Sequence, residues 1–94
     1  MLSIVETIER TYPFGNVIVA CSSHEHSEKL VEMLSDRGLN PVAVAESASV
    51  AMALAAQVRA DVAIVDPELH GGGRALTMQL RDTWGVPSLF LKEA

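Results

Sequence analysis

Apolar positions follow two alternating rhythms along this chain. Continuous apolar runs at residues 17–21, 41–45 and 62–65 have the form of strands buried on both faces. Between them, apolar residues recur at the three- and four-residue spacing of a helix face. Leu30, Val31 and Leu34 pattern one helix, entered through the capping-box pair Ser22 and Glu25 and closed by Gly38. An alanine-rich segment at 50–59, entered through Ser47 or Ser49, predicts another, and Ala75, Leu76 and Leu80 a third that ends near Gly85. Residues 86–91 predict a fourth strand. Ahead of all these, Ser3 and Glu6 have capping-box spacing, and Ile4, Val5 and Ile8 share one face of a helix that must end before Pro13.

Strands alternating with helices of about ten residues imply right-handed crossovers. The expected fold class is therefore α/β, a short parallel sheet of about four strands with helices on both faces and an extra N-terminal helix. Residues 1–15 form that helix and a turn, and 16–94 the α/β domain. In such sheets the loops at the carboxyl ends of the strands make the functional edge. Here that edge is Cys21-Ser22-Ser23, Asp66-Pro67-Glu68 and Lys92.

Composition narrows the partners. A hydrophobic content of 49% with 20% charge over 94 residues describes one ordered domain. A net charge of -5 offers no basic stripe to a phosphate backbone, so nucleic acid is not an expected partner. Cys21 is the only cysteine, so no disulfide forms within the chain. Glu6 and Glu9 stand where a signal peptide carries positive charge, and the apolar runs fall far short of the roughly 20 residues that cross a bilayer. A cytoplasmic protein with no membrane partner is expected.

From about residue 16 to residue 94 the chain resembles the receiver domain of two-component response regulators. Asp61-Val62-Ala63-Ile64-Val65-Asp66-Pro67-Glu68-Leu69-His70-Gly71-Gly72 looks like the family's third strand and the turn after it, and Gly85-Val86-Pro87-Ser88-Leu89-Phe90-Leu91 like its fourth strand. The resemblance implies the flavodoxin-like strand order 2-1-3-4 and puts Asp66 in the phosphoacceptor position. It also exposes departures. Receivers hold Mg²⁺ with two acidic residues after the first strand, and those positions are Cys21 and Ser22 here. Asp66 and a backbone carbonyl at Glu68 would leave a feeble site for a hard cation, so the expected cofactor is none, or at most weakly bound Mg²⁺. Lys92 takes the place of the serine or threonine that ends the family's fourth strand. The fifth strand, its lysine and the last two helices have no counterpart.

The edge carries other chemistry. Lys92 reads equally as a solvated lysine or as a cation lying across from Asp66. Cys21, His24, His26 and His70 are potential metal ligands, yet Cys21-x₂-His24-x-His26 matches no common zinc pattern, and His24 and His26 read as surface residues of a first helical turn. Cys21 before a helix N-terminus is also faintly similar to the phosphocysteine loop of sugar phosphotransferase-system B subunits, where a helix dipole lowers the thiol pKa. Gly71-Gly72-Gly73 lacks a P-loop lysine and reads as a turn.

The expected function is that of a degenerate, non-enzymatic receiver-like signalling module, working by protein contact in a two-component or phosphorelay pathway. Its partners would be a histidine kinase, a phosphotransfer protein or another receiver. Alternatives are a phosphoacceptor switch at Asp66, and a phosphocysteine or metal-binding domain using Cys21. A fourth strand left as an apolar edge further predicts a homodimer through Ile4, Val5, Ile8, Leu89, Phe90 and Leu91, with the N-terminal helix reaching across a two-fold axis rather than folding over its own sheet.

Overall fold

The structure is a computed structural model that describes residues 2–91. Helix α1 (Leu2–Thr11) is followed by β1 (Asn16–Ala20), α2 (His24–Asp36), β2 (Asn40–Ala45), α3 (Ala48–Ala55), β3 (Val62–Val65), α4 (Gly73–Trp84) and β4 (Ser88–Phe90). The strands form one parallel sheet in the order β2-β1-β3-β4, the order that the receiver resemblance implies. No helix among the described residues is long and apolar enough to cross a membrane.

The boundaries shift where side chains outside the local segment intervene. Strand β1 starts at Asn16 because its N–H donates to Asp61 Oδ2 at 2.8 Å and its side-chain amide to the Arg59 carbonyl at 2.9 Å, which fixes the start of β1 against the approach to β3. Helix α2 is capped by Ser23, whose hydroxyl accepts the His26 N–H, and not by Ser22. At its other end Gly38, with φ +78°, sits in a Schellman turn: its N–H donates to Ser35 O and that of Leu39 to Leu34 O. Helix α3 begins directly after its cap Ser47. Ser3 lies within α1 and accepts from Thr7 Oγ1 at its carbonyl, so it caps nothing.

Alternation along each strand sends successive side chains to opposite faces. Val17, Val19, Val62 and Ile64 point to the layer of α1 and α2, where they meet Val5, Ile8, Leu30 and Leu34. Ile18, Ala20, Ala43, Ala45, Ala63 and Val65 point to α3 and α4, where they meet Ala48, Ala51, Ala55, Leu76 and Leu80.

Helix α1 therefore covers its own sheet, which corrects the expectation that it reaches a second subunit. Val5 and Ile8 are fully buried, and Leu91 is buried beside them. The face above β3 and β4 is apolar and lies within reach of a helix joined by a four-residue turn, so burial in cis needs no partner. Of the six residues expected at a dimer interface, Ile4, Leu89 and Phe90 keep exposed surface.

Candidate functional site

Asp66 follows β3 directly, and its N–H donates to the carbonyl of Ala20 at the end of β1. That bond brings Asp66 beside Cys21, so the sheet register itself assembles the pair. The Cys21 thiol faces Asp66 Oδ2 at 3.7 Å as a weak donor, and Asp66 Oδ1 accepts the Glu68 N–H at 2.9 Å. Both carboxylate oxygens are thus engaged by the chain's own groups. Glu68 contributes this backbone donor, while its side chain belongs to an exposed residue.

Cys21 is only 1% exposed. Burial, above all, pushes its thiol pKa above the ordinary value; a backbone bond at Ser23 opposes this, and the charge of Asp66 adds to the rise. The phosphocysteine-loop alternative carries a dipole-lowered thiol, whereas here the thiol is shifted the other way, toward the neutral form least suited to nucleophilic attack. Its carbonyl accepts the hydroxyl of buried Ser27, which ties the end of β1 to α2.

Ser22 has a role the sequence reading missed. Its hydroxyl donates to the carbonyl of Glu46 at 3.3 Å and accepts the His70 N–H at 3.1 Å. Beside it, the His70 carbonyl accepts the Ala48 N–H at 2.8 Å, so Ser47 and His70 form an isolated parallel bridge. One hydroxyl clasps the loop after β3 to the loop after β2, with the loop after β1 between them. The only sequence signal was a serine at a strand end, which equally marks a helix cap.

The glycines after Asp66 shape the return of the chain. Gly71 and Gly72 have φ of +89° and +97°, a region L side chains rarely adopt. A side chain at Gly73 would collide with the Asp66 carbonyl, so α4 can start hard against the site only from glycine.

The histidines do not converge with Cys21. His24 is exposed and pairs with Glu28 at 3.0 Å and with Glu46 at 4.0 Å; His26 lies in the first turn of α2; His70 belongs to the clasped loop. Among the described residues no group of three His, Cys, Asp or Glu side chains could hold a metal ion. Lys92 lies outside the described residues, so its relation to Asp66 stays as the sequence leaves it.

No family model and no curated protein sequence matches the chain. Solved structures do. The chain is similar to the signal receiver domain of a modulated diguanylate cyclase from Desulfovibrio desulfuricans G20, described as an example of alternate folding, with a TM-score of 0.81 at 22% identity over 85% of this chain and 66% of that one. It is also similar to the receiver domain of the PhyR response regulator from Erythrobacter litoralis, with a TM-score of 0.75 at 19% identity over 81% and 60%. A third likeness is to the anti-anti-sigma factor PhyR from Bartonella quintana, with a TM-score of 0.75 at 15% identity over 89% and 36%. The fold is that of a receiver domain. The matched region spans about two thirds or less of each of these chains.

Proposed function

We propose that this chain is a signalling receiver module that works through protein contact, with Asp66 kept as a structural residue and not used as a metal-dependent phosphoacceptor. The observation that supports this most directly is the engagement of both Asp66 oxygens, one by the Glu68 N–H and one by the Cys21 thiol. Metal-assisted transfer needs a hard cation beside the aspartate, and a hard cation prefers carboxylates. At the two positions after β1 where receivers carry acidic residues stand a buried thiol and a hydroxyl already bonded to two other loops. That donor set does not fit Mg²⁺. The Ser22 clasp favours the same reading, since it holds the loops around Asp66 in one arrangement.

Such a module would act in the cytoplasm, without catalysis of its own, by presenting this fixed surface to a histidine kinase, a phosphotransfer protein or another receiver. Incubation with acetyl phosphate or beryllofluoride and Mg²⁺, followed by intact mass and chemical shifts around Asp66, tests it. We expect no adduct and no shift. A phosphoryl adduct that disappears in Asp66→Asn would establish the phosphoacceptor reading instead.

A further inference from the structure

The ion pairs of this chain leave one surface uncompensated. Glu25 on α2 pairs with Lys29 at 3.6 Å, and Glu9 on α1 with Arg37 at 2.9 Å. Along another side of α2, His24, Ser27, Glu28, Val31 and Glu32 repeat at helical spacing, and with Val44 of β2 they line a groove of about 340 Å³ that has no lysine or arginine in its wall. Its floor is apolar: Val31 is half-buried, and Val44 on the outer strand is 43% exposed. Its rim is acidic. Among the described residues Glu28 has His24 as its one ionic partner, shared with Glu46, and Glu32 has none. Two carboxylates four residues apart on a helix repel each other, so the free protein holds Glu28 and Glu32 together at a cost. The groove also borders open backbone. The Ala45 carbonyl turns inward to accept the Cys21 N–H, so alternation along β2 turns the N–H and C=O of Val44 outward, while Pro41 keeps any further pairing along this strand short.

We propose that this groove is a docking site for a short basic segment of another protein, extended along β2, with lysine or arginine side chains laid across Val31 and Val44 and their charged ends between Glu28 and Glu32. The stem of a lysine or arginine is apolar and its tip charged, which matches an apolar floor under an acidic rim. A cation between Glu28 and Glu32 removes their repulsion, which an apolar or acidic occupant does not. A chain of net charge -5 repels its own copy and draws a basic partner from a distance. The outward backbone at Val44 favours a peptide over a free polyamine, which has no carbonyl to offer the Val44 N–H. The groove lies at the edge of the sheet away from β4 and shares no residue with the contacts of Asp66, so the proposal stands or falls separately from the proposed function.

The test is titration of the 94-residue chain with the peptide Gly-Arg-Val-Lys-Val-Arg-Gly, blocked at both ends, followed by amide chemical shifts. We expect saturable shifts at Glu28, Val31, Glu32 and Val44 that salt weakens. Glu32→Gln should lower the affinity about threefold to fivefold, the effect of one ion pair near the surface, whereas Glu25→Gln, the same charge change elsewhere on the same helix, should leave it unchanged. Val44→Ser, at an exposed position, should weaken binding about twofold or more without unfolding the chain. No shift at these residues up to about 5 mM peptide overturns the proposal. So do equal losses from Glu32→Gln and Glu25→Gln, which would mean general attraction between charges, and equally tight binding of spermidine, which would make the groove a site for cations only. A dimer in sedimentation that Glu32→Gln abolishes overturns it too, since a second copy would then fill the groove.

Discussion

The two faces of the sheet are packed from side chains of different size. Toward α1 and α2 the strands present valine and isoleucine, met by Val5, Ile8, Leu30 and Leu34; toward α3 and α4 they present mainly alanine, met by Ala48, Ala51 and Ala55. One layer is held by filled volume and the other by close approach. The difference teaches that each face fails in its own way: the bulky face loses stability when atoms are removed, and the alanine face when they are added.

The largest expected effect is on the bulky face. Ile8→Ala removes most of a side chain that is 1% exposed and leaves a cavity between α1 and the sheet, at a cost of about 2–5 kcal/mol by urea denaturation. A loss near zero would mean that α1 is not part of the core, and the contrast between faces would collapse. On the alanine face, Ala51→Leu pushes α3 away from its neighbours and should cost about 1–3 kcal/mol, whereas Ala53→Leu, on the exposed side of the same helix, should cost almost nothing. Equal effects at the two positions would show that α3 is loosely seated. The smallest effect is specific to Cys21, which sits in the bulky layer. Its raised thiol pKa favours the neutral form in the folded chain, so that contribution is present below the ordinary thiol pKa and is lost as pH rises through the raised one. The wild type should therefore lose more stability than Cys21→Ala under alkaline conditions, and Asp66→Asn should lessen that excess by removing a charge that raises the thiol pKa. Parallel pH profiles for wild type and Cys21→Ala would show the thiol to be unstrained.

The fold was legible where local pattern and tertiary packing agree. Strand β3 was read at its observed bounds because it is buried on both faces and follows directly on polar Asp61. Strand β1 was misplaced by one residue because Asp61, far along the chain, decides where it begins. The cap of α2 was read as Ser22 and is Ser23, since the Ser22 hydroxyl is drawn to Glu46 and His70, partners no local window contains. The strand ends place Cys21 and Asp66 on one edge, but the contact between them, the engagement of both carboxylate oxygens and the clasp were not legible there. For α1 the periodicity identified the apolar face without saying which surface receives it. That required knowing that the layer above β3 and β4 was free.

The position of α1 also sets the order in which the molecule can assemble. The helix is made before every strand it rests on, and its apolar face packs in one cluster with Val62, Ile64 and Leu91, which the ribosome delivers much later. An isolated helix of ten residues is marginal in water. During translation this helical segment therefore waits, largely unstructured, for a platform built from later strands, and the completion of β4 is the event that lets α1 close over the sheet.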